Sequence, residues 1–148
     1  MAPLIVDQSI KIKAPTNKVW DVLTKPEFTN QWTKYFGDFH GKLESDWKLG
    51  SPVLWTENDG HVVVEGEVSA VYAGKMLRFT VFDSQMPRPM TSETDGITYT
   101  LVGNNGDTLL SVRQGDFGSL VNGKAYYDAT VDTWNKVLPK VKELAEKN

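Results

Sequence analysis

The sequence predicts an α+β domain in which a long C-terminal helix covers one face of an antiparallel sheet. Hydrophobic and polar residues alternate between His40 and Phe117, which is typical of strands with one buried and one solvated face. From Ser119 to Lys147 hydrophobic residues recur every three or four positions, which indicates an amphipathic helix. The sheet has an apolar face to bury, and the long helix is the element available to cover it.

The composition is that of one globular domain, predicted to span residues 1–148. The chain has 16 basic and 19 acidic residues and a net charge of −3, so a nucleic-acid partner has no electrostatic support. It has no cysteine, which excludes disulfides, thiolate zinc sites and thiol nucleophiles. We find neither a signal-peptide pattern nor an apolar run long enough to span a bilayer. We therefore expect a cytoplasmic protein without a membrane span.

The N-terminal part predicts one strand followed by two short helices. Ile10 and Ile12 alternate with lysines in a strand from Leu4 to Ile12. Pro15 suits the first turn of a helix, and Pro26 ends that helix because a residue before proline avoids helical backbone angles. Pro26 can also open a second helix. Its predicted apolar face consists of Phe28, Trp32 and Tyr35.

The middle of the chain predicts about six antiparallel strands joined by tight turns. Turn residues occur at Asn58-Asp59-Gly60, at Tyr72–Lys75 and at Gly103–Gly106. Asp83–Asp95 is the least regular segment and is predicted to be a loop at the rim of the sheet. The inward-facing rows are apolar except for one phenol, and they contain Val62, Val64, Val68, Leu77, Phe79, Val81, Ile97, Tyr99, Leu101, Leu110 and Val112.

The C-terminal helix is predicted to bury one continuous stripe. Pro139 lies inside this run and predicts a kink or a division of the helix near Asn135. The stripe consists of Tyr127, Val131, Trp134, Leu138, Val141 and Ala145.

Four stretches of the sequence resemble a known family. They are IKIKAPTNKVWDVLTKPEFTNQW, SDWKLGSPV, EGEVSAVYAGKMLRFT and DTWNKVLPKVKELAE. In this order and spacing they resemble the AHSA1-like branch of the START/Bet v 1-like (SRPBCC) superfamily over nearly the whole chain. The resemblance implies a helix-grip fold, in which a curved sheet wraps around the C-terminal helix and leaves a pocket for apolar molecules. The superfamily includes lipid and hormone carriers, polyketide cyclases, resistance proteins and a co-chaperone domain that stimulates the Hsp90 ATPase.

The motifs that could support catalysis are incomplete. Gly118–Ala125 departs from a phosphate-binding loop at its last position, where Ala125 replaces the hydroxyl that holds magnesium. His40 and His61 are the only histidines and lack the spacing of metal ligands. No G-x-S-x-G elbow marks a hydrolytic serine. The predicted inward rows also lack an ionisable acid or base. We therefore expect no catalytic residue, no metal site and no cofactor, which favours a non-enzymatic role.

The sequence favours a protein that binds a small hydrophobic ligand between the sheet and the C-terminal helix. The hydroxyl of Tyr99 or Thr130 is predicted to orient this ligand. Two alternatives stay open, namely a co-chaperone-like domain that binds an Hsp90 homologue and an enzyme similar to polyketide cyclases or hydrolases. A monomer and a homodimer are both compatible with the sequence. The predicted ligand-binding residues are Trp32, Phe36, Trp55, Phe79, Tyr99, Tyr127, Thr130 and Trp134.

Overall fold

The computed structural model describes residues 3–36, 41–83 and 95–147, together with all side chains in these ranges except that of Asp83. The described strands are β1 (Val6–Ile12), β2 (Lys42–Glu44), β3 (Pro52–Thr56), β4 (Val62–Tyr72), β5 (Met76–Thr80), β6 (Phe82–Asp83), β7 (Gly96–Asn104) and β8 (Asp107–Gln114). The described helices are α1 (Thr16–Thr24), α2 (Pro26–Trp32) and α3 (Gly123–Lys147), and a 3-10 turn, Thr33–Tyr35, follows α2.

The strands form one antiparallel sheet that curls around α3. Its order is β1-β8-β7-β5-β4-β3-β2, and β6 pairs with β4 beside this path. The pairing aligns inward-facing side chains across neighbouring strands, because Val112 lies opposite Gln8 and Tyr99, and Tyr99 lies opposite Leu77. The predicted α+β fold class and the helix-grip architecture implied by the resemblance are confirmed. Most of the predicted rim loop, Asp83–Asp95, lies outside the described residues, as does His40.

Strand β4 bends the sheet, because its first part pairs with β3 and β6 whereas its last part pairs with β5. The register with β5 shifts between Val68 and Ala70, and such a bulge increases the local bend and twist. At the corner the Thr80 hydroxyl accepts a hydrogen bond from the Glu67 N–H at 3.0 Å. Thr80 is buried at this corner, although its alternation with Phe79 predicts an outward position.

Helices α1 and α2 meet at a proline corner. Lys25 is extended (φ −84°, ψ 134°) because it precedes Pro26, yet its N–H still bonds to the carbonyl of Asp21 at 2.8 Å. The 3-10 turn after Trp32 then changes the helical phase. Tyr35 is consequently 38% exposed, and the prediction that it shares the apolar face of α2 is wrong.

Helix α3 lies against the concave side of the sheet and runs unbroken through Pro139, so the alternative of a divided helix is wrong. Both Pro139 and Asn135 are exposed, which allows water to satisfy the Asn135 carbonyl that proline leaves unpaired. Within the described ranges no helix combines the length and hydropathy that crossing a bilayer requires. The cytoplasmic location stays a prediction. The buried stripe of α3 contains Trp134, Val137, Leu138, Val141, Leu144 and Ala145.

Candidate functional site

Seven aromatic rings from seven separate segments meet between the sheet and α3. We refer to this group as the aromatic cluster. Its members come from α2, the turn after α2, the β2–β3 loop, β3, β5, β7 and α3. They are Trp32, Phe36, Trp47, Trp55, Phe79, Tyr99 and Trp134.

Phe36 lies at the centre of one half of the aromatic cluster. Its ring centroid is 6.2 Å from that of Trp32 and 5.3 Å from those of both Trp55 and Trp134. The interplanar angles of 62°, 82° and 81° are edge-to-face arrangements, which place the positive edge of one ring against the negative face of another. Phe36 therefore connects α2 with both the sheet and the long helix.

Tyr99 joins this half of the aromatic cluster to the rest. Its ring centroid is 6.0 Å from that of Trp134 and 5.5 Å from that of Phe79, and Phe79 is in turn 5.3 Å from Trp47. The rings thus form one continuous group across the concave face of the sheet.

Three indole N–H groups of the aromatic cluster donate hydrogen bonds within the protein. These bonds fix the ring orientations and leave the apolar ring surfaces to make the remaining contacts. The pairs are Trp32 Nε1 to Val22 O at 2.8 Å, Trp47 Nε1 to Thr24 O at 2.9 Å and Trp134 Nε1 to Gln114 Oε1 at 2.9 Å.

Five of the seven residues in the aromatic cluster are deeply buried, and the other two are half-buried. Trp55 is 6% exposed and four other rings are 1% exposed, whereas Phe36 and Trp47 are half-buried. Burial raises the pKa of the Tyr99 hydroxyl far above its usual value, so the phenol is neutral at physiological pH. The seven rings therefore offer apolar surface and a neutral hydroxyl, without a group that could act as an acid or base near neutral pH.

Six of the eight residues predicted from the sequence meet in the aromatic cluster. Tyr127 is half-buried on α3, and the Lys124 ammonium lies 5.3 Å from its ring centroid. The Thr130 hydroxyl donates to the Tyr126 carbonyl at 2.7 Å, so this hydroxyl already has a partner within its own helix. The ligand-binding role of all eight residues stays a prediction.

Trp47 is the member of the aromatic cluster that the prediction omitted. It follows Ser45 and Asp46 in a polar loop, where no strand periodicity indicates which way a side chain points. Its backbone φ is 55°, an uncommon value for a residue other than glycine. The available signal was a tryptophan within a short hydrophilic segment, which is unusual unless the ring packs elsewhere.

Two buried threonine hydroxyls lie on the segment that carries Trp32, one in α2 and the other in the 3-10 turn that follows α2. Thr29 is 0% and Thr33 is 1% exposed, and neither Oγ1 atom has a hydrogen-bond partner. Thr29, Trp32 and Thr33 form the buried side of this helical segment, and the Trp32 ring is a member of the aromatic cluster. Sequence patterns did not indicate these hydroxyls, because threonine at a helix end is ordinarily solvated or bonded to the backbone.

A separate groove of about 470 Å³ lies at the β2 edge of the sheet. Lys42 and Glu44 face it and form an ion pair with an N–O distance of 2.8 Å. The groove is polar and contains none of the aromatic rings. Across the described ranges, no three histidine, aspartate or glutamate side chains are grouped closely enough to hold a metal ion.

The sequence matches one family model over residues 13–146, which is most of the chain. The family is AHSA1, described as "Activator of Hsp90 ATPase homolog 1-like protein". No curated protein sequence is significantly similar to the chain.

Several solved structures share the fold. Protein MLL2253 from Mesorhizobium loti is 23% identical with a TM-score of 0.76, and the match covers 97% of this chain and 98% of that one. ChR145 from Cytophaga hutchinsonii is 24% identical with a TM-score of 0.75 over 99% and 97% of the two chains. A protein described as the Aha1 dimer, from Colwellia psychrerythraea, is 16% identical with a TM-score of 0.71 over 99% and 97%. At these identities the likeness shows the fold alone.

Proposed function

Because the chain belongs to the AHSA1 family, we propose that it is a non-enzymatic protein that holds a small hydrophobic molecule against the aromatic cluster. The observation that carries this proposal is the continuity of the aromatic rings between the sheet and α3. The cluster includes the half-buried Phe36, which contacts three deeper rings. An apolar molecule that reaches Phe36 therefore meets a surface that extends into the core.

The chemistry of the aromatic cluster supports binding rather than catalysis. Apolar contact stabilises a complex by about 25 cal/mol per Å² of surface removed from water, and it needs no charged group. Acid–base or nucleophilic catalysis needs a titratable group next to the reacting atom. Tyr99 is the titratable member of the aromatic cluster, and its raised pKa makes it a poor base near neutral pH. A cyclase or hydrolase role therefore has no support from these rings.

Native mass spectrometry of freshly purified protein tests the proposal. We expect a population whose mass exceeds that of the bare chain by the mass of one small molecule. Phe36→Asp places a charge among the rings and should abolish the added mass, since an unpaired carboxylate is costly next to apolar surface. Tyr72→Asp is the matched control, because Tyr72 is 64% exposed and outside the aromatic cluster. Its spectrum should keep the added mass.

The proposal fails if wild-type protein carries no added mass and adds none after incubation with naphthalene. Circular dichroism of Phe36→Asp must show wild-type secondary structure, so that loss of the ligand can be separated from loss of the fold.

A second candidate function follows from the family description, which refers to activation of the Hsp90 ATPase. In this role the chain would bind an Hsp90 homologue through its outer surface rather than through the aromatic cluster. The ATP hydrolysis rate of the host Hsp90 homologue, measured with and without this protein, separates the two candidates. A carrier leaves that rate unchanged, whereas an activator raises it. The Colwellia neighbour is described as a dimer, which supports a homodimer as the assembly for both assays.

A further inference from the structure

We infer that the bound molecule is amphipathic, with an apolar body on the aromatic cluster and one hydrogen-bonding group held by the hydroxyls of Thr29 and Thr33. This inference rests on the proposed function and narrows its ligand class. A hydroxyl can donate and accept, so the complementary group is an alcohol, a phenol or a carbonyl.

Without a hydrogen-bonding group from a ligand, the two hydroxyls lower the stability of the folded protein. Thr29 and Thr33 are almost fully buried, and their Oγ1 atoms have no hydrogen-bond partner. A buried hydroxyl that has lost its water without gaining a partner destabilises the folded state. Valine has nearly the same shape without this cost. Two threonines one helical turn apart are therefore better explained by a partner than by packing.

The position of the hydroxyls matches the aromatic cluster. Trp32 lies between the two threonines in sequence, and its ring is a member of the cluster. The Phe36 N–H donates to the Thr33 carbonyl at 3.0 Å, so the backbone of Phe36 follows Thr33 within one tight turn. A ligand that lies against the Trp32 ring is therefore next to the buried side of the segment that carries both hydroxyls.

Naphthalene and 2-naphthol are matched probes for this site, because they differ by one hydroxyl. The indole N–H signals of the four tryptophans in the aromatic cluster, followed by NMR during titration, report binding there. We expect wild-type protein to bind 2-naphthol roughly fivefold more tightly than naphthalene, as one added hydrogen bond predicts. In the double variant Thr29→Val/Thr33→Val the preference should disappear while the affinity for naphthalene stays within about twofold of wild type.

Thermal stability of the ligand-free protein gives an independent measurement. Thr29→Val and Thr33→Val should each raise Tm by about 3 °C, because each removes an unpaired buried hydroxyl. Thr108→Val is the matched control, for which we expect a change in Tm of the opposite sign. Thr108 is 0% exposed, and its hydroxyl donates to the Ala14 carbonyl at 2.7 Å, so valine there should lower Tm. A fall in Tm for Thr29→Val and Thr33→Val would show that water already pairs the hydroxyls, and it would overturn the inference.

The outcomes separate this inference from the proposed function. If wild type binds both probes with equal affinity, the hydroxyls do not hold the ligand, and the inference is wrong while the proposed function stands. If neither probe binds, both are contradicted. A preference for 2-naphthol that survives the double variant also overturns the inference.

Discussion

Single residues determine the geometry of the aromatic cluster and of the sheet that supports it. Trp47 adopts a left-handed backbone conformation and is held by three contacts. Its N–H donates to the Ser45 hydroxyl at 3.0 Å, its indole donates to the Thr24 carbonyl, and its ring packs edge-on against Phe79. An uncommon φ value persists only where surrounding contacts favour it, and these three supply them. Trp47 thereby connects α1 with the sheet.

Gly66 is the residue on which the bend of β4 depends most directly. A Cβ atom at this position would lie 1.7 Å from the Thr80 carbonyl oxygen, a backbone atom that cannot move without disturbing the sheet. We expect Gly66→Ala to lower the free energy of unfolding by about 3 kcal/mol, the upper part of the range for overpacking. Urea denaturation monitored by circular dichroism measures this change.

Gly103→Ala is the control for Gly66→Ala. Gly103 also lies in a strand, but its added Cβ would meet the Thr16 methyl group at 3.2 Å, the end of a side chain that can adjust. The control should change the free energy of unfolding by less than about 1 kcal/mol. If both variants lost the same free energy of unfolding, the contact with Thr80 would not be the reason that position 66 requires glycine.

At the level of elements, polar contacts attach α3 to β1 near its C-terminus and tie the connection that precedes its N-terminus to the segment before β1. Near its C-terminus the Glu146 carboxylate accepts the Lys13 N–H at 2.8 Å and pairs with Lys142, whose ammonium also donates to the Lys11 carbonyl. The side-chain bond from Lys142 and the backbone bond from Lys13 lower the pKa of Glu146. Before its N-terminus, the Asp116 carboxylate accepts the N–H groups of Leu4 and Gly118. The segment that precedes β1 and the connection from β8 to α3 are thus joined.

The Asp116 contact predicts a specific pH dependence. The backbone bonds from Gly118 and Leu4, at 2.7 and 2.8 Å, hold the pKa of Asp116 below its usual value. Because the folded-state pKa is lowered, the ionised carboxylate stabilises the fold above the unfolded pKa of about 4, and this stabilisation is lost as the pH falls through the folded pKa. Asp116→Asn keeps an acceptor oxygen but removes the charge.

We therefore expect Asp116→Asn to have a lower Tm than wild type at pH 7. The difference should shrink below about pH 4, where the wild-type carboxyl also becomes neutral. Thermal unfolding of both proteins between neutral and strongly acidic pH tests this expectation. A difference that stays constant at every pH would show that the geometry of the amide, and not the charge, accounts for the loss.

At the scale of the whole molecule, the curled sheet and α3 bring together rings that are distant in sequence. Trp32 and Trp134 are 102 positions apart, yet both contact Phe36, as their numbering and ring distances show. The bend at β4 lets β3 contribute Trp55 while β5 and β7 contribute Phe79 and Tyr99. The proposed ligand site exists only because these separate elements converge.

Much of this arrangement could be predicted from local patterns. Alternation and helical periodicity identify the strands and α3, since each element must bury one face. Those same patterns place Phe79, Tyr99 and Trp134 on inward faces. They fail where the backbone leaves regular geometry, as at Tyr35 in the 3-10 turn and at Trp47 in its loop. They also misplace Thr80, which is buried where its hydroxyl accepts the Glu67 N–H of another strand.

The sequence by itself determined the fold class, the order of the elements and the apolar character of the surfaces between sheet and helix, because these follow from side-chain periodicity. The tertiary structure alone decided which rings touch and which hydroxyls stay unpaired. Threonine is an ordinary residue at the end of a helix, so the sequence does not single out Thr29 and Thr33. Whether their hydroxyls find a hydrogen-bond partner depends on what packs around them. Contacts of this kind depend on the relative placement of whole elements, which local periodicity does not encode.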